Sequence, residues 1–471
     1  MLFPDNQIWI IVVGFLIAFI LAFGIGANDV ANSFGTSVGS KVLTLKQACV
    51  LASIFEILGS ILLGAKVSDT IRKGVILPEY YNTQNMTDGI RIMMMGQLSS
   101  LSGACVWMMI ATFFKLPVSG SHSIVGAVVG FALIIHGVKG IDWVKVGFIV
   151  ASWFISPILS GSVSVLTFFI FDRFILKKSD PLEPGLTFLP FIYSITILIN
   201  AFSIFISGPP LLGFDKIPLY GTFIASFGLA IITILVVRFV AVPYLRKKIQ
   251  SNCSTATAKM SFGNGSSYVE DNHNLNGHVE THLDNNIVHI ITKPKHIPIK
   301  DKPEQCELFS GLQILTAVFG GFAHGGNDVS NAIGPLVGLW IIGLTQDLSS
   351  KMAIPIWILL YGGFGITIGL WIWGRRVIKT MGDELTTITP SSGVCIELGS
   401  AITVTVASNI GLPISTTHCK VGSIVAVGRY RSNENVDWKI FRHICFAWFI
   451  TLPVTGGVSA LIMFCLKKWA V

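Results

Sequence analysis

Gly26-Ala27-Asn28-Asp29-Val30-Ala31-Asn32-Ser33-Phe34-Gly35 returns 299 positions later as Gly325-Gly326-Asn327-Asp328-Val329-Ser330-Asn331-Ala332-Ile333-Gly334. Leu116-Pro117-Val118-Ser119-Gly120-Ser121-His122 returns 296 positions later as Leu412-Pro413-Ile414-Ser415-Thr416-Thr417-His418. Asp142-Trp143 and Trp153-Phe154-Ile155 return 295 positions later as Asp437-Trp438 and Trp448-Phe449-Ile450. Matches in one order at nearly one offset mark an internal duplication. The chain holds two copies of one module, over about 7–173 and 310–466.

Composition says what solvates these modules. Of 471 residues, 52% are apolar and only 12% charged, with a mean hydropathy of +0.70. A soluble protein carries roughly a quarter charged residues, so half the usual supply cannot cover a water-facing surface. Soluble enzymes, disordered chains and fibrous proteins are excluded. The expected class is an all-α polytopic membrane protein. The net charge of +8 fits basic flanks of membrane helices, and no basic face interleaved with aromatics suggests nucleic acid. The eight cysteines include no CxxC pair and read as small apolar residues. No cofactor motif is present.

A spanning helix needs about 20 apolar residues. Runs of that kind occupy 7–24, 45–68, 93–114, 143–173, 187–207, 218–242, 351–374, 390–410 and 438–466. Shorter runs at 121–138, 310–323, 329–343 and 417–428 lie beside Gly- or Pro-rich polar interruptions. In lipid, broken backbone is tolerated only where it is buried or lines a wet cavity. About twelve membrane segments are expected, some broken or re-entrant. The domain reading is a first repeat over 1–176, two linking helices over 177–242, a flexible polar loop over 243–309 and a second repeat over 310–471. Five histidines fall in that loop, at spacings that match no tetrahedral metal motif.

Placing the basic start of the loop (Arg246, Lys247, Lys248) in the cytoplasm makes the first repeat end inside and the second begin inside. With an odd number of crossings each, the copies are inverted. The N-terminus is then extracellular, and the sequon Asn85-Met86-Thr87 lies outside, where glycosylation at Asn85 is expected.

Inverted repeats with interrupted helices place binding sites at the repeat interface. Asp29 and Asp328 occupy the same position in both copies. A carboxylate at the bilayer centre costs about 2.5–3.5 kcal/mol on insertion scales, so an idle role is disfavoured. Asp29, Asn32, Asp328 and Asn331, with freed backbone carbonyls, supply the oxygen ligands a hard cation such as Na⁺ requires; a proton would also serve. The glycines read equally well as close-packing positions. Pro117 and Pro413 break helices, and Ser119, Ser121, Ser415, Thr416 and Thr417 follow where new helices start. Helix-start N–H groups and hydroxyls together form an anion cradle, to which Asn28 and Asn327 can add amide donors. Two carboxylates with few fixed cations hold a multiply charged anion only if cations enter too.

Further ionisable groups in apolar surroundings are Glu56, Glu397, His324, His122 and His418. Each admits a gating, proton-sensing or secondary coordination role, or an interhelical hydrogen bond, the latter being preferred for His324.

With these residues assembled, the chain resembles the inorganic phosphate transporter family, the type III sodium–phosphate cotransporters. The resemblance rests on the duplicated GANDVAN and GGNDVSN signatures and the LPVSGSH and LPISTTH pair, and it covers nearly everything outside 243–309. It implies a plasma-membrane symporter of monovalent phosphate and Na⁺, with inverted repeats and roles in transport for Asp29, Glu56, Asp328, Glu397 and Ser415. A homodimer is compatible with it. Three departures stand out. The central loop is much shorter than in many animal relatives, Ser121 stands where the family usually has Thr, and Gln97 stands where relatives often have Glu.

The leading expectation is sodium-coupled phosphate symport by alternating access. The alternatives are a proton-coupled oxyanion carrier and a membrane receptor or phosphate-sensing scaffold that uses the central loop. No nucleophile–base pair or nucleotide loop supports an enzyme.

Overall fold

The computed structural model describes residues 4, 7–73, 75–81, 86–261, 279–284, 287–292, 300–374, 378, 385–432 and 436–470. The first repeat comprises α1 (Ile8–Gly39), α2 (Leu45–Lys73), α3 (Met86–Phe113), α4 (Gly120–His136) and α5 (Trp143–Phe171). Next come α6 (Leu182–Ser207), α7 (Leu219–Val236) and α8 (Val242–Ser261). The second repeat comprises α9 (Pro303–Thr345), α10 (Ile356–Trp373), α11 (Pro390–Asn409), α12 (Thr416–Arg431) and α13 (Trp438–Ala470). Among the described residues, eleven helices are long and apolar enough to cross a membrane. Leu219–Ser251, spanning α7 and part of α8, is one of them; α12, with 16 residues, is not.

Local chemistry sets the ends. Pro303 and Pro390 occupy first helical positions, where the missing N–H costs nothing. Ser119, Asp142 and Ser415 are N-caps whose side chains accept from the amides of His122, Lys145 and His418. The Lys145 amide holds the half-buried carboxylate of Asp142 below the ordinary range. Gly411, at φ +74°, turns the chain after α11.

The packing is an exchange between repeats. Helix α2 packs on α9 and α1 on α10, while α4 packs on α13 and α5 on α12. Each of these contacts has its mirror in the other copy. The direction of the copies is fixed at the helix ends: Gln7, just before α1, meets Gln346, just after α9, at 2.9 Å. Ser40, just after α1, meets Gln313 near the start of α9 at 2.8 Å. Equivalent helices therefore run antiparallel, and the repeats are inverted.

Large apolar side chains such as Phe148, Phe154, Ile158 and Phe449 point outward, toward lipid, whereas Ser, Thr, Asn and Asp side chains crowd the interior.

Two sequence expectations change. The signature segments do not interrupt their helices, because α1 and α9 run unbroken through them. The chain leaves helical form at 114–119 and 410–415 instead, where Pro117 and Pro413 sit. Backbone carbonyls at the signatures thus stay in the helix, and carbonyls freed from helical bonding lie at the two breaks instead. Second, 243–309 is not all loop. Helix α8 continues to Ser261 and α9 starts at Pro303, seven residues before the expected boundary at 310. Arg246 holds Glu183 of α6 at 2.7 Å and Lys248 pairs with Glu307 of α9, so the basic cluster docks this helix onto the bundle. Val279–Asp284 and Ile287–Thr292 pair as an antiparallel hairpin. Asn85 lies outside the described residues.

Candidate functional site

The two non-helical breaks meet at the centre of the bundle and interlock. Ser121 Oγ donates to the carbonyl of Ile414 at 2.7 Å, and Thr417 Oγ1 donates to the carbonyl of Val118 at 3.2 Å. These bonds are exchanged by the pseudo-twofold, since 121 matches 417 and 118 matches 414. Each signature asparagine pins a break: Asn28 donates to the carbonyl of Leu116 at 2.9 Å and accepts from the amide of Val118 at 3.1 Å, and Asn327 donates to the carbonyl of Ile414 at 3.0 Å. Asn28 thus has both ends of its amide engaged, whereas the Asn327 oxygen has no partner among the described residues.

The aspartates lie against these tips. Asp29 Oδ1 accepts from Asn32 at 3.0 Å and from Thr417 at 3.3 Å. Asp328 accepts from Asn327 at 3.2 Å and from Thr416 at 3.1 Å. Asp29 Oδ2 and both polar atoms of Asn331 have no partner among the described residues. These are oxygen-rich, incompletely satisfied groups of the kind a hard cation binds. Asp29 and Asp328 both line one enclosed cavity with Ile25, Gly26, Glu56, His324, Gly325 and Ile366, of about 10 Å³. That is room for a single water-sized occupant and too small for an oxyanion.

The glycine contacts give the register of this cavity. A Cβ on Gly26 would strike the backbone of Ile366, and one on Gly325 would strike the backbone of Glu56. Since 26 matches 325, Glu56 and Ile366 are equivalent positions. The lining is therefore four symmetry-related pairs, two identical in kind (Asp29/Asp328, Gly26/Gly325) and two broken (Glu56/Ile366, Ile25/His324). Glu56 accepts from Ser33 at 3.1 Å. Neither nitrogen of His324 has a partner among the described residues, so the hydrogen bond preferred for it from sequence is not formed: its surroundings include Ile25 and Ile366.

His122 and His418 stand together on the pseudo-axis with ring centroids 4.5 Å apart. His122 stacks near Trp153 at 3.8 Å and His418 near Trp448 at 3.7 Å, while His418 Nδ1 donates to the carbonyl of Trp153 at 2.9 Å. Glu397 lies apart from the aspartates. It accepts from Thr36 at 2.5 Å, Ser37 at 2.6 Å, Thr316 at 2.6 Å and Gln313 at 3.4 Å. Sequence reasoning singled out Glu397 but not this hydroxyl ring, whose members come from α1 and α9 without a common motif.

Residues 25–459 match the model of the phosphate transporter family. The chain belongs to that family. It is 41% identical to sodium-dependent phosphate transporter 1-A of Danio rerio, over 98% of this chain and 95% of the relative. It is 40% identical to sodium-dependent phosphate transporter 1 of Homo sapiens, over 97% of this chain and 96% of the relative. A solved structure described as the sodium-dependent phosphate transporter matches with a TM-score of 0.79 and 33% identity, covering 98% of this chain and 99% of that one. The family model starts one residue before the first signature and ends within α13, so both signatures and both breaks lie inside it.

Proposed function

We propose that this chain is a sodium-coupled phosphate symporter of the plasma membrane, with its N-terminus outside and the 243–309 segment in the cytoplasm. Its membership of the phosphate transporter family and the names of its relatives support the cargo. The observation that carries the site is that Asp29 and Asp328, one from each inverted copy, share a single buried cavity. Two carboxylates there repel an anion until cations neutralise them.

The hydrogen bonds suggest how coupling works. Thr417 and Thr416 donate to Asp29 and Asp328 in this conformation. Na⁺ on the carboxylates competes for the same oxygens and releases the two hydroxyls. Together with Ser119, Ser121, Ser415 and Asn327, they then face monovalent phosphate between the starts of α4 and α12. Cation binding thus makes the anion site, and the cavity must widen in another conformation to admit phosphate, as alternating access requires. Phosphate uptake by proteoliposomes under an inward Na⁺ gradient, with choline as the control, is the test. Uptake only with Na⁺ is expected; equal uptake in choline would reject sodium coupling and favour a proton-coupled carrier.

A further inference from the structure

Two hollows on the outside of the bundle meet at one lysine. The first is a groove of about 520 Å³, within the range that small-molecule sites occupy. Leu198, Phe202 and Ile206 of α6, Phe223 and Phe227 of α7 and Val406 of α11 give it an apolar lining. It exists because α7 packs chiefly on α6, which leaves a gap beside α11. The second hollow, of about 390 Å³, has the opposite character and is lined by Lys66, Lys73, Lys145, Asp69 and Thr70. Lys66 and Ile410 border both, so the apolar groove and the basic hollow adjoin at Lys66.

The fold does not use up this lysine. Its Nζ donates to Ser207 Oγ at 3.0 Å and to the carbonyl of Asn409 at 3.2 Å, leaving one of three N–H groups. Among the described residues no carboxylate pairs with it: Asp69 holds Arg72 and Lys73, and Asp142 holds Lys145. The dimensions are those of one leaflet. From Ser207 to Leu198 the groove follows α6 for nine residues, about 14 Å, half of a hydrocarbon slab about 30 Å deep. Lys66 stands seven residues before the end of α2, from where its side chain can reach headgroup level. The two copies also differ here. Helix α3 ends on the exposed Phe113, whereas α11 ends at the equivalent position on Asn409, whose Nδ2 donates to Ser203 of α6 at 2.8 Å and whose Oδ1 has no partner among the described residues.

We propose that groove and hollow together bind one phospholipid, its acyl chain in the groove, its phosphodiester on Lys66 and the rest of its headgroup in the lysine-lined hollow. A free phosphate ion would fit the hollow but has no use for an apolar groove beside it. Because Lys66 ties the end of α6 to the last residue before the 410–415 break, a bound headgroup bears directly on that break. The site is separate from the cation cavity and does not depend on which ion drives transport.

The test follows the melting temperature of the purified full chain in detergent as dioleoylphosphatidylglycerol is added, with dioleoylglycerol, which lacks the phosphate, as the comparison. Wild type and K66R should show a saturable rise with the phospholipid and none with dioleoylglycerol. K66M should bind about fivefold more weakly, the worth of one lysine near a lipid phosphate. I206W, which fills the groove and leaves the hydrogen bonds of Lys66 in place, should lose the saturable rise. An equal response to dioleoylglycerol, no response in wild type, or wild-type affinity in I206W overturns the proposal. So does displacement of the phospholipid by inorganic phosphate without Na⁺, which would make the hollow an ion site. If K66M does not fold, I206W decides alone.

Discussion

Ser121 Oγ reaches across the pseudo-twofold to the carbonyl of Ile414 at 2.7 Å. The partner bond, from Thr417 to Val118, is longer at 3.2 Å and shares its hydroxyl with Asp29. The two tips are thus locked unequally: one hydroxyl holds backbone only, and the other also holds a carboxylate. Thr417→Val should cost more function than Ser121→Ala. Thr417→Val leaves the Val118 carbonyl without its hydroxyl donor, at about 1–3 kcal/mol, and strips a donor from Asp29, whereas in Ser121→Ala the Ile414 carbonyl still accepts from Asn327 at 3.0 Å. Uptake is expected to fall at least tenfold in Thr417→Val and less in Ser121→Ala. Equal losses would undo the distinction.

Asp29→Asn and Asp328→Asn keep side-chain volume and remove charge. Both proteins should insert and run as single species on size-exclusion chromatography, yet lose sodium-driven phosphate uptake. Wild-type uptake by either one would remove the aspartates from the cation site.

Helix contact sets a second class of outcome. A methyl on Gly26, Gly59 or Gly325 would overlap the backbone of Ile366, Phe322 or Glu56 respectively, and backbone cannot step aside. Gly26→Ala and Gly59→Ala should therefore fail to accumulate as folded protein. Gly228 and Gly147 have nothing within 4 Å of an added Cβ, so Gly228→Ala and Gly147→Ala should express normally. Fluorescence-detected chromatography of tagged variants separates the groups.

Arg431 Nη2 lies 3.6 Å from Asp301 Oδ1, both nearly buried, and Asp301 also accepts from the amide and hydroxyl of Ser391 at 2.9 Å each. This carboxylate ties the start of α11 to the end of α12. Asp301→Ala strands the guanidinium and should destabilise by about 3–5 kcal/mol, read as a lowered melting temperature. Asp301→Ala combined with Arg431→Met should recover part of that loss, and a strictly additive pair would show that the two do not interact.

Much of this was written in the chain. The duplicated signatures fix the pairing of α1 with α9, and the LPVS and LPIS motifs fix both breaks, because proline in a membrane helix leaves few alternatives. The unbroken course of α1 and α9 through their glycines was not legible. A glycine-rich run reads as a break or as a packing surface with equal ease, and only the neighbouring backbone decides. The equivalence of Glu56 with Ile366 was hidden too, since α2 and α10 share no motif and are aligned only by the glycines they press against.

Helix α9 contains 43 residues, a rod of about 65 Å at 1.5 Å per residue, while the hydrocarbon slab is about 30 Å deep. It must lean steeply or stand proud of one leaflet. Leaning lets a long rod match a thin film, and any rocking of one repeat against the other changes the thickness it matches. Lipids with shorter or longer tails should therefore favour different stages of the cycle, giving the surrounding membrane a direct hand in turnover.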